Sequence, residues 1–199
     1  KLEALKADME RRRLGYATMI TNDPVESGQW YALREAGLGL AMAKKGDPKP
    51  LPYVEDTAVS PEQLPAYVRR FEEIVARHGT ESAYYGHAST GCLHIRPVVN
   101  LKENEGVETM AAIAEEIADL VLEFGGSLTG EHGDGIVRGV FTEKMFGSEI
   151  YGAFKELKAA FDPDGIMNPG KIIETPGIRE NLRISPATDN LEVSTHMSF

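Results

Sequence analysis

Apolar residues recur at intervals of three and four along 107–124: Met110, Ile113, Ala114, Ile117, Leu120, Val121 and Phe124. Glu115, Glu116, Asp119 and Glu123 fall between them, so the spacing predicts an amphipathic helix, closed by Gly125-Gly126. Val68, Phe71, Ile74 and Val75 repeat the pattern. That helix is expected to start near Ser60-Pro61, with Gln63 in a capping-box position, and to stop at Gly79. Asn22 or Asp23 followed by Pro24 opens an earlier helix. It carries Trp30, Leu33 and Arg34 and is expected to fade at Gly37 and Gly39. Leu2, Leu5 and Met9 read as the end of another helix, closed by Gly15. A last helix is predicted from about Glu143 to Phe161, where Asp162-Pro163 stops it.

The extended segments are short. Residues 82–85 and 92–99 read as strands, and Pro97 places the second at a sheet edge or a strand end. A strand is also expected to begin at Leu51–Glu55, after the breaker-rich run KGDPKPLP, and another over Gly135–Phe141, with β-branched residues at 136, 137 and 140. Helices alternate with short strands and no strand is a long apolar run, which predicts an α+β layer and not a doubly wound parallel sheet. From residue 174 onward the periodicity is lost, and 174–199 reads as an extended tail or linker.

Composition narrows the function. The 199 residues, 42% hydrophobic and 26% charged, suit one domain with a tail. A net charge of −10, with Arg11–Arg13 the one basic run, argues against a nucleic-acid partner. No apolar run reaches the roughly 18 residues of a membrane span. One cysteine excludes an internal disulfide and fits a reducing compartment, so the expected location is cytoplasmic, with room for peripheral contact at the inner membrane. Lys1 already sits in a helical pattern, and the chain is expected to begin mid-protein.

Candidate chemistry concentrates in two glycine-rich runs, GHASTGCLH (86–94) and GGSLTGEHGDG (125–135). They hold His87, His94, His132, Glu131 and Cys92. Two histidines and a carboxylate form a usual catalytic zinc shell, which iron and manganese also accept. A spacing of seven puts His87 and His94 on opposite faces of a continuous strand, but Gly86 and Gly91 allow a loop that brings them together. Arg96 shares a face with His94 and suits an anionic substrate. His132 follows Glu131 directly. Neighbours on an extended backbone point apart, so His132 is expected to be a base across the pocket and not a ligand. Cys92 is read as a small buried filler. The run GEHGDG lacks the glycine order of a dinucleotide fingerprint. Three readings stand at this point: the metal half of a dehydrogenase, a metal-dependent hydrolase complete in this chain, or a structural metal domain without turnover.

The same runs, followed by FDPDGIMNPGK, resemble the C-terminal half of FAD-linked oxidases of the vanillyl-alcohol oxidase type. The branch is that of D-lactate, glycolate and D-2-hydroxyglutarate dehydrogenases. The resemblance covers roughly residues 30–173, with KPLPYVEDTAVSPEQL similar to a further family region. It implies an antiparallel sheet covered by helices, as a fragment of a larger protein whose own FAD-binding domain is N-terminal and supplies most of the flavin site. By resemblance His87, His94 and Glu131 hold the metal and His132 is the base. Arg34 and Lys49 bind the substrate carboxylate, with Arg96 added from its place beside His94. Glu131 and Asn168 lie on the cofactor side. The stretch NPGKIIETPGIRENLRISP is similar to members in which an iron–sulfur module follows. The first motif is commonly GHxxDGNLH; here Thr90 and Cys92 replace the acid and the amide, and Arg96 stands where many members have a small amide residue. The resemblance leaves the particular 2-hydroxy acid and the electron acceptor open.

Overall fold

A computed structural model describes residues 1–188 of the chain. It divides into two compact units, Lys1–Ala41 and a second that begins at Met42. The first contains α1 (Leu2–Arg11) and most of α2 (Pro24–Met42). Asp23 caps α2 as expected: its carboxylate accepts the N–H groups of Val25 at 2.7 Å and Glu26 at 3.1 Å. The helix runs through Gly37 and Gly39 to Met42 instead of fading there. Two glycines weaken a helix, but they do not remove a backbone donor as proline does.

The second unit is built on an antiparallel sheet. Its strands are β1 (Lys49–Pro50), β2 (Thr57–Ala58), β3 (Ser82–His87) and β4 (Cys92–Val99). β4 pairs with all three others, so it is the centre of the sheet and not an edge. Pro97 is tolerated because of where its missing N–H falls. Its carbonyl accepts Leu51 N–H at 3.1 Å, and a residue's N and O point to the same side of a strand. That side is where β1 ends, so little pairing is lost. Leu51–Glu55 bends away and does not extend β1.

α3 (Leu64–Arg77) and α4 (Asn104–Glu123) cover one face of this sheet. Tyr67, Phe71 and Ile74 of α3 meet Met110, Ile113, Ile117 and Val121 of α4 around Leu93, Ile95 and Val99 of β4. Tyr67 also donates its hydroxyl to Thr57 at 2.8 Å inside the core. The capping box at Ser60 does not form. Gln63 is the N-cap without a side-chain bond, and the Ser60 hydroxyl turns to Glu62.

Residues 135–141 are not a strand. Arg138 N–H bonds to Asp134 O and Phe141 N–H to Arg138 O, and Gly139–Phe141 is a 3₁₀ turn. The β-branched residues there have no partner strand, and inward anchoring of Arg138 sets the turn instead. α5 (Thr142–Phe161) follows, with a kink at Gly147. Asp162 closes it by accepting the N–H groups of Ile166 and Met167, both at 2.9 Å. Of the tail expected from 174, residues 174–188 are described. Ile178 and Leu182 pack on the core and Arg179 pairs with Glu108, while 189–199 lie outside the described residues.

The α4 face dominates the core. Replacing Ile117, fully buried, with Ala should cost about 2–5 kcal/mol, seen as a lower urea midpoint with unchanged slope. Leu157→Ala on α5, 59% exposed, should stay within about 0.5 kcal/mol. Equal losses would mean that the core lies elsewhere.

Candidate active site

The histidine spacing is the spacing of a hairpin. In the β3–β4 register Tyr85 faces His94 and His87 faces Cys92. His87 lies two residues beyond Tyr85, so it shares the face that carries His94. The turn between them, Ala88–Thr90, is closed by Thr90 Oγ1 donating to His87 O at 2.9 Å. Gly91 ends it at φ 73°, where a Cβ would lie 1.8 Å from Val59 O, so only glycine fits. The two imidazoles meet edge to face, 5.4 Å between centroids. Strand alternation gives the other β4 face, with Leu93 and Ile95, to the core.

A loop then folds over this face, held by Asp56. Asp56 is fully buried, with φ 73°, and its backbone bonds both ways: N–H to Leu93 O and O to Gly130 N–H, at 3.1 and 2.7 Å. Its carboxylate accepts four donors. They are Glu131 N–H at 3.0 Å, His132 N–H at 2.8 Å, Thr129 Oγ1 at 2.9 Å and Cys92 Sγ at 3.4 Å. Burial pushes the Asp56 carboxyl up, but the bonds from His132, Glu131, Thr129 and Cys92 outweigh it and hold it below the ordinary carboxylate range. Arg138, buried, ties the arrangement together. It donates to Glu55 O at 2.5 Å and Gly133 O at 2.7 Å, and lies 3.6 Å from Asp56.

Consecutive N–H groups reaching one carboxylate require a turned backbone. Glu131 and His132 therefore point to the same place, not apart as on an extended strand. Three imidazole nitrogens surround Glu131 Oε1: His94 Nε2 at 2.9 Å, His132 Nε2 at 3.4 Å and His87 Nε2 at 3.5 Å. His94 is buried beneath Tyr85 and stacked on His132, at 4.9 Å and 3°. The other three side chains are nearly half exposed, so the cluster opens to solvent on one side. Burial lowers the His94 pKa, against the pull of Glu55 and Glu131, which favours the neutral ring a metal requires. This donor set, imidazoles around a hard carboxylate, fits a divalent metal. The side chains whose ligand atoms all lie within 4.8 Å of one another are Asp56, His94, Glu131 and His132; His87 joins them through Glu131, at 3.5 Å, and the Asp56 oxygens are spent on the loop. Cys92 is a donor to Asp56, and burial together with that neighbour pushes its thiol up to about 12.

The remaining expected residues are placed differently. Arg96 shares the His94 face, but its Nε lies 2.6 Å from Glu55 Oε2, with the guanidinium over the Tyr85 ring at 5.6 Å. Lys49 pairs with Val99, roughly 16 Å of strand from His94 at about 3.3 Å per residue, and its amine bonds Lys44 O at 2.5 Å. Asn168 is exposed in the turn after α5, with φ 51°. Arg34 is exposed on α2 in the first unit. Sequence reasoning missed Glu55, Asp56 and Arg138 as site residues. The available signal was two adjacent acids between buried Tyr53-Val54 and Thr57. Acids drawn into a core must be paired.

Residues 1–172 match the family described as FAD linked oxidases, C-terminal domain. The chain is 41% identical over 142 residues to a D-2-hydroxyglutarate dehydrogenase of Haemophilus influenzae, covering 71% of this chain and 14% of that protein. It is 37% identical over 148 residues to one of Escherichia coli, covering 74% and 14%. It is 31% identical over 174 residues to the glycolate oxidase subunit GlcD of Bacillus subtilis, covering 85% and 37%. The chain thus spans a small part of the curated relatives it matches.

Asp56→Asn keeps the shape but turns an amide N–H₂ toward backbone N–H donors. It should destabilise the second unit by about 1–3 kcal/mol and speed amide exchange at Glu131 and His132. Unchanged protection at those two amides would show that something else holds the loop.

Proposed function

The chain belongs to the family of FAD linked oxidases, C-terminal domain, and on that premise we propose that it is the substrate- and metal-binding half of a flavin-dependent dehydrogenase. The reaction is oxidation of a 2-hydroxy acid, of the D-2-hydroxyglutarate, glycolate or D-lactate type, to the 2-oxo acid. The observation that carries this reading is the convergence of His87, His94 and His132 on one oxygen of Glu131. Names of the relatives supply the substrate class.

In this reading His87, His94 and Glu131 hold a divalent metal, zinc being favoured, with iron and manganese as alternatives. When bound, the ion supplies polarisation of the substrate hydroxyl and the flavin supplies hydride acceptance. His132 Nε2 takes the hydroxyl proton as the carbonyl forms and passes it to solvent through the open side of the cluster. Arg34 is kept for the substrate carboxylate on the family resemblance alone. Arg96 is assigned to Glu55 instead, since that carboxylate already occupies its Nε edge. Lys49 is left out of the first contacts by its distance along β4. An iron–sulfur cluster on the same polypeptide would need ligands outside this chain, whose one cysteine is buried against Asp56. Among the described residues no helix is long and apolar enough to cross a membrane.

The test separates base from ligand in the natural protein that carries this chain. His132→Ala should cut single-turnover flavin reduction by about 10²–10⁴ while metal content stays intact. His94→Ala should lose metal and activity together. Loss of metal in His132→Ala would make His132 a ligand, and a normal rate of flavin reduction would remove it as the base.

A further inference from the structure

We propose that Glu55 is the positioning residue for His132: its carboxylate fixes the imidazole with Nδ1 protonated, so that Nε2 carries the free lone pair toward substrate. This rests on the reading of His132 as the base and adds the part that prepares it.

The geometry is a chain of three side chains. Glu55 is buried at the end of the Leu51–Glu55 bend, its side chain 7% exposed. Its Oε1 lies 3.2 Å from His132 Nδ1, and its Oε2 lies 2.6 Å from Arg96 Nε. The second contact is an ion pair, close but not aligned as a hydrogen bond. Arg96 thus occupies one oxygen and leaves the other for the imidazole. The backbone is pinned as well, since Arg138 donates to Glu55 O at 2.5 Å. The Asp56 carboxylate comes no closer to Nδ1 than 4.0 Å, through Oδ2, and that atom is engaged by His132 N–H and Thr129.

A neutral imidazole has one N–H and one lone pair, and the partner of one nitrogen decides the state of the other. A carboxylate accepts only, and the Glu55 contact at Nδ1 has hydrogen-bond geometry while the Glu131 contact at Nε2, 3.4 Å, does not, so Nδ1 is the N–H and Nε2 is the acceptor. Nε2 then faces Glu131 and the open side of the cluster, where a substrate hydroxyl would arrive. After Nε2 takes the proton, the same carboxylate sits against the imidazolium and stabilises it. The His94 ring, stacked at 3°, blocks rotation of the imidazole out of this plane. Arg96 contributes through Glu55, which accounts for an arginine at a place where direct substrate contact was expected.

A double-mutant cycle tests the role in the natural protein. Glu55→Gln alone should lower single-turnover flavin reduction by about 10–10², with little change in KM and full flavin and metal content. In the His132→Ala background the same substitution should cause no further loss, because Glu55 acts through the missing ring. If Glu55→Gln does not retain flavin, Glu55→Asp replaces it in the cycle. The shorter arm withdraws the carboxylate from Nδ1, and the same absence of further loss is expected. An equal fall in both backgrounds, or no fall in the parent protein, overturns the positioning role. A His132→Ala protein that reduces flavin normally would instead remove the base itself, so the two failures are distinguishable.

Discussion

The Asp56 carboxylate is the contact on which the site depends. It sits fully buried at a left-handed backbone position and has no solvent to satisfy it. Its donors come from β4 and from the loop 129–132, and without them an ionised group in that place would cost several kcal/mol. The need of one buried acid therefore draws the second glycine-rich run onto the first. Gly130 permits the approach, since a Cβ there would stand 2.9 Å from Cys92 Sγ. Glu131 and His132 arrive beside His87 and His94 as a consequence of that docking.

The two faces of β4 divide the work. Leu93, Ile95 and Val99 enter the core beneath α3 and α4, while His94 and Arg96 enter a polar layer on the other side. In that layer Arg96 pairs with Glu55, and Arg138 with Asp56 and with two carbonyls. Such a paired layer is rigid because removing any member leaves another buried and unmatched. Rigidity of this kind holds the histidine and carboxylate side chains of the cluster in place.

Much of this was legible in the sequence where the signal was local. The α4 period, the Asp23-Pro24 cap and the stop at Asp162 are set by neighbours in the chain, and they appear as expected. The convergence of His87 and His94 was open until the register was known, because the hairpin turn between them reverses the face argument of a continuous strand. Long-range contacts decided the rest. Pro97 reads as an edge signal, yet β4 is central, and the proline is tolerated there because β1 is only two residues long. Residues 135–141 carry a strand composition, yet Arg138 turns them by reaching for the Glu55 carbonyl, 83 residues away, as well as for nearby Gly133 O. Glu55 and Asp56 stood inside a recognisable run, but their roles depend on partners about 75 residues on.

The most direct test of the account is anomalous diffraction from crystals of the natural protein, collected across the zinc edge. The account predicts one ion held by His87, His94 and Glu131 at about 2.0–2.2 Å, with His132 outside bonding distance and its Nδ1 on Glu55. An ion ligated by His132 in place of His87, or these four side chains ordered around no ion in protein that is fully active, would contradict it.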